Sequence, residues 1–165
     1  MKVEFFKRWL PNGGIFKLSY EQAKRYHEKE KPYAVVISDE QPLFVVGVYF
    51  DKKAYFCSVK YLDENLEMIR SDGYQFHNQQ LFLRNVEILY HDEGEIKGES
   101  YLYETDGHYR KRIDHKDYSY EMEYGTCDVS SHFREMIQFM NYDSILSEEA
   151  RRIFRRVLRE CEGES

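Results

Sequence analysis

The chain has 165 residues, 42% hydrophobic and 33% charged, with a net charge of −6. That length suits one domain with its own core, spanning 1–165, and the composition is that of a soluble globular protein. No apolar run approaches the roughly 20 residues needed to cross a bilayer as a helix, and the acidic balance argues against direct nucleic-acid binding, where phosphates repel an acidic surface.

Aromatic residues reach 16%, and 15 of them are tyrosines. Tyrosine suits positions with one end buried and one end wet, as on a half-covered sheet or a recognition surface. The charge is uneven. Residues 1–30 carry seven basic and four acidic side chains, whereas residues 39–106 carry six basic and fourteen acidic ones. Cys57, Cys127 and Cys161 are odd in number and form no CxxC pair, which indicates neither a disulfide framework nor a zinc ribbon. Met1-Lys2-Val3-Glu4 lacks the apolar core of a signal peptide, so a cytoplasmic protein is expected.

In chain order, Lys2 to Leu10 and Ile15 to Leu18 form an opening hairpin around Pro11-Asn12-Gly13-Gly14. Ser19 and Gln22 have the spacing of a capping box, predicting a helix from Tyr20 to about Lys29 that stops before Pro32. Tyr33 to Ile37 is continuously apolar, as a strand buried on both faces would be. Leu43 to Phe50 and Ala54 to Tyr61 follow as strands across short antiparallel connections. Leu62 to Gln80 is ambiguous between strand and helical turn, with Asp72-Gly73 marking a turn.

The central stretch, Leu81 to Tyr124, predicts consecutive strands at 81–91, 96–104, 108–114 and 118–124. Tyr118, Tyr120, Met122 and Tyr124 alternate with Ser119, Glu121 and Glu123, the clearest period of two in the chain. Beyond Gly125 the pattern turns helical. Phe133, Met136, Ile137 and Met140 suggest one helix capped by Ser130 or Ser131, and Ser147 caps another. The stripe of Ala150, Ile153, Phe154, Val157, Leu158 and Cys161 marks the last helix, with Glu148 and Glu149 favoured in its first turn by the helix dipole. The expected fold is therefore α+β: an antiparallel meander of about six to eight strands, with one N-terminal and two C-terminal helices packed on it.

No sequence motif demands a catalytic residue, a metal or a cofactor. Asp106, His108, Asp114 and His115 are close in sequence but match no metal-ligand spacing. Cys127, Asp128 and His132 are the residue types of a thiol nucleophile and its base, yet they sit in one connection without a supporting signature. Arg151, Arg152, Arg155, Arg156 and Arg159 lie opposite the apolar stripe of the last helix, as a solvated face or an anion-binding one. Glu121 and Glu123 share a strand face about 7 Å apart, a spacing open to acid–base chemistry and equally common on wet strands.

The expectation is a non-enzymatic binding protein that works through its acidic, tyrosine-rich meander, with Glu93, Glu95, Glu99, Tyr101, Tyr103, Glu104, Glu121 and Glu123 as the binding residues. A basic protein partner fits the charge, as for an immunity or inhibitor protein neutralising a basic toxin or nuclease. Two further readings stand beside it. One is a small enzyme or ligand-binding domain with a polar pocket between sheet and helices, using His108, Glu121 or Glu123. The other is self-association through a strand edge.

Overall fold

The computed structural model describes residues 1–163, with side chains through residue 160. Eleven strands form one antiparallel sheet, with helices α1 (Tyr20–Glu28) and α2 (Glu148–Gly163). The strands are β1 (Lys2–Leu10), β2 (Gly13–Leu18), β3 (Tyr33–Ser38), β4 (Pro42–Val48), β5 (Cys57–Leu62), β6 (Met68–His77), β7 (Gln80–Leu89), β8 (Ile96–Tyr103), β9 (His108–His115), β10 (Tyr120–Thr126) and β11 (Phe133–Arg134). Strand accounts for 51% and helix for 16%, so the expected α+β fold of six to eight strands and three helices is corrected to a mostly β chain with two helices.

The sheet order is β10-β9-β8-β7-β6-β5-β4-β3-β1-β2. From β3 to β10 it is a plain meander of short antiparallel connections. The opening hairpin is the one departure. Helix α1 carries the chain from β2 past β1 to β3, which then pairs with the far side of β1. Ser19 caps that helix as its spacing predicts: its hydroxyl accepts from the Gln22 amide at 3.2 Å, and the Gln22 side chain accepts from the Ser19 amide at 2.9 Å.

One face of the central strands holds the main core. Phe5, Val35, Ile37, Val46, Cys57, Val59 and Leu81 pack beneath Ala23, Tyr142, Ile145, Phe154 and Val157. The apolar stripe of α2 lands on this face as expected, except that the Cys161 side chain lies outside the described residues. The opposite face carries no helix among the described residues, and its buried apolar cluster is small: Ala34, Val36 and Val45, beside Phe6, Trp9 and Leu62.

The predicted 131–140 helix is not formed. Ser130–His132 makes one 3-10 turn, and Phe133–Arg134 becomes β11 on the stretch of β7 beyond β8. Phe133 lies opposite Phe82 with ring centroids 5.0 Å apart, and Met140 has φ +61°, outside helical geometry. Unused backbone groups on β7 hold these residues extended, and tertiary pairing outweighs the local periodicity.

The ambiguous 62–80 segment resolves as β6, so Asp72-Gly73 is not a turn. Asp72 is buried and accepts from Arg70 Nε at 2.7 Å, and a register shift falls between Gly73 and Tyr74. No described helix is long and apolar enough to cross a membrane.

Candidate interaction surface

Helix α1 lies over β1 to β3, α2 over β1, and the 135–147 segment over β5 and β6, which leaves β8 to β10 as a ledge. Along β10 every residue but Gly125 is exposed, on both faces, and its outer edge has no neighbouring strand among the described residues. Strand alternation then sorts the predicted residues.

Glu99, Tyr101 and Tyr103 of β8 and Glu121 and Glu123 of β10 share the face that carries the core farther along the sheet. Lys111 is the hinge of that row, paired with Tyr101 on one side and Glu123 on the other. Its ammonium lies 3.5 Å from Glu99 and 5.3 Å above the Tyr101 ring. Tyr101 donates to Glu99 at 3.2 Å, and Tyr109 donates to Glu123 at 3.2 Å. His115 Nε2 lies 3.1 Å from the Glu121 carboxylate.

Tyr101 and Tyr103 stack with centroids 6.0 Å apart, and the His132 ring meets Tyr103 edge-on at 4.4 Å. These two tyrosines are half-buried, where the core gives way to the ledge.

The tyrosines of β10 point the opposite way. Tyr120 and Tyr124 are 58% and 73% exposed, Met122 lies between them, and Tyr118 at the β9–β10 turn is 93% exposed. Arg112 sits 4.5 Å from the Tyr120 ring, a cation–π contact, and pairs with Asp114 at 2.8 Å. Tyrosine and arginine together on an open face have the composition of an interface centre.

The remaining glutamates lie elsewhere. Glu93 and Glu95 are exposed in the β7–β8 connection, which the Lys116 amide ties to the β9–β10 turn by a 2.9 Å bond to the Glu95 carbonyl. Glu104 follows β8 at its other end and pairs with Arg84 at 3.2 Å, while Arg84 also donates to Gln75. The eight predicted residues thus form one row of five, a turn pair next to the hairpin tip, and an outlier.

The histidine and cysteine groups do not converge. His108 pairs with Asp106 at 3.0 Å on the exposed β8–β9 turn, and the bonds from His108 hold the Asp106 carboxyl below its usual range. His132 Nδ1 lies 3.1 Å from the Leu83 carbonyl, and no hydrogen bond joins it to Cys127 among the described residues. Asp128 instead accepts from the Ser130 amide at 2.9 Å.

One feature of the helix-free face escaped the sequence reading. Ala34, Gly47, Ser58, Gly73 and Asn85 stand in register across five strands as a row of small side chains. The Tyr49 hydroxyl reaches over Gly47 to Ser58 Oγ at 3.0 Å, beside a groove of about 340 Å³ floored by Ala34 and Val45. Gly47 and Gly73, each inside an otherwise regular strand, were the available signal. Comparison with known protein families, curated proteins and solved structures gave no match to this chain.

Proposed function

We propose that this chain is a non-enzymatic binding protein whose recognition element is the β9–β10 hairpin. The observation that carries the reading is β10 itself: an edge strand wet on both faces, with Tyr120, Met122 and Tyr124 on one side and Glu121 and Glu123 on the other. The fold makes little use of these side chains, and apolar surface left in water is a cost that a partner removes.

The partner class is a basic protein. Residues 90–126 hold ten acidic and five basic side chains, nearly all of the net charge. Neutralisation of a basic toxin or nuclease by a cytoplasmic immunity protein has this charge relation. A strand from the partner added to β10 would place its Lys or Arg residues opposite Glu121 and Glu123. On this reading His108, which pairs with Thr126 at the far end of the hairpin from Glu121, takes no part in the recognition surface. The five steps between Glu121 and Thr126 span about 17 Å at ~3.4 Å per residue.

Affinity capture from the native host, followed by titration of the captured protein, tests the reading. Y120A/Y124A and E121K/E123K should each weaken binding while leaving thermal melting unchanged. A captured partner that binds both variants as tightly as the parent protein would refute the assignment.

A further inference from the structure

We propose that the recess between β11, the 135–147 segment and the amino-terminal half of α2 binds a phosphate group, as the free ion or a monoester. The argument starts from Arg134. Pairing of β11 with β7 sets Phe133 opposite Phe82 and Arg134 opposite fully buried Leu81, so the arginine projects to the helix-covered side of the sheet. Its Nε is enclosed and has no acceptor among the described residues. An enclosed N–H is closed to a ligand as well as to water, so the donors Arg134 offers are its two terminal nitrogens, which bond to no protein group among the described residues. Asp72, a buried acid whose charge it senses, already accepts from Arg70 at 2.7 Å.

Arg134 opens into a recess of about 460 Å³ that also holds Asn141, Asp143, Glu135, Arg151 and Arg155. Arg151 spends Nε and one terminal nitrogen on the carbonyls of Asp143 (3.0 Å) and Leu146 (3.3 Å). Arg155 spends Nε (2.8 Å) and one terminal nitrogen on the Asp143 carboxylate. Each keeps a second terminal nitrogen without a protein acceptor among the described residues. Three arginines against two carboxylates leave the lining net positive.

The arrangement selects the shape of the anion. A planar carboxylate is satisfied by one guanidinium, and Asp143 already accepts two nitrogens of Arg155 on its Oδ2. The unspent donors come from three side chains, one on β11 and two on successive turns of α2. Donors approaching from separate elements suit a tetrahedral group with oxygens facing several ways. This site shares no residue with the β9–β10 hairpin and stands or falls independently of it. It also gives part of the α2 arginine face a use that solvation does not supply.

The test is titration of the 15N-labelled chain with inorganic phosphate, adenosine monophosphate or acetate, observing the arginine Nε–Hε resonances, with calorimetry in parallel. Phosphate should produce a saturable shift of the Arg134 resonance. R134K, which keeps the charge but loses the paired terminal nitrogens of the guanidinium, should weaken binding at least tenfold. R155Q, on exposed α2 surface, should also weaken it, and R156Q, outside the recess, should not. Saturation by adenosine monophosphate as well as phosphate identifies monoesters as ligands, and saturation by phosphate alone identifies the free ion. The proposal fails if neither phosphate saturates the wild-type chain, if acetate binds as well as phosphate, or if both R134K and R155Q bind like the parent.

Discussion

Tyr33 and Tyr142, 109 positions apart, join their hydroxyls at 3.0 Å inside the core, and Tyr33 meets His27 Nδ1 at 2.9 Å. This three-member chain fastens α1 and the 135–147 segment to β3 through one point. Burial pushes the Tyr142 phenol up to about 12 and Tyr33 higher still, so both remain hydroxyls across the physiological range. Removing the middle member strands both of the others. Y33F should therefore cost about 1–3 kcal/mol, and Y142F, which leaves the His27 bond intact, nearer 1 kcal/mol. Urea denaturation of the two variants measures the order, and an equal or reversed loss would show that the chain is not a unit.

The same chain predicts a pH dependence. Burial among Tyr33, Phe50 and Phe139 pulls the His27 pKa below its usual value, a shift partly offset by Glu28. The folded state thus favours the neutral ring. Above the unfolded pKa of about 6.5 both states are neutral and the contribution is complete. As the pH falls below that, the unfolded chain takes the proton first, and stability is lost until the folded pKa has been passed. Melting temperature should fall more between pH 7.5 and 5.5 in the parent than in H27Q. Other titrating groups are common to both proteins, so equal slopes would remove His27 as the cause.

How far the sequence carried these conclusions depended on whether a signal was local. The capping box of Ser19 and Gln22 and the apolar stripe from Ala150 to Val157 act within one element, and both formed as read. The alternation along 118–124 correctly set tyrosines against glutamates, although Tyr118 belongs to the turn rather than to β10. Phe133 to Met140 failed because its partner, the free stretch of β7, lies some fifty residues away. Asp72-Gly73 failed for a related reason: turn chemistry is overridden when Arg70 satisfies the acid and the glycine gives room to the Tyr55 ring. The acidic patch was legible as composition but not as a place, since Glu104 lies apart from Glu121 and Glu123.

The exposed glutamates of β10 also bear on self-association. Two copies paired antiparallel about Met122 would set Glu121 against Glu123, and pairing about Glu123 would oppose that residue to its own copy. Like charges directly opposite destabilise a ladder, and charge on an edge strand deters pairing with a second sheet. E121T/E123T should therefore form dimers or larger species at concentrations where the parent does so less, as sedimentation equilibrium would show. Identical mass distributions up to millimolar concentration would mean that other features guard the edge.

The hairpin depends on a single glycine at its base. Gly107 has φ +94°, and a Cβ there would lie 2.5 Å from the carbonyl oxygen of Cys127, a backbone atom that cannot swing aside. The Gly107 carbonyl meanwhile accepts from the Cys127 amide at 2.9 Å, closing the hairpin where β10 ends. G107A meets the dihedral penalty, about 1–3 kcal/mol, and the steric clash together. Because the core lies on the central strands, the damage should stay local. Amide exchange should accelerate in β9 and β10 and remain slow in β3 and β4. On the binding reading G107A should lose the partner while keeping a cooperative melt, and uniform acceleration across all strands would show that the hairpin is not a separable unit.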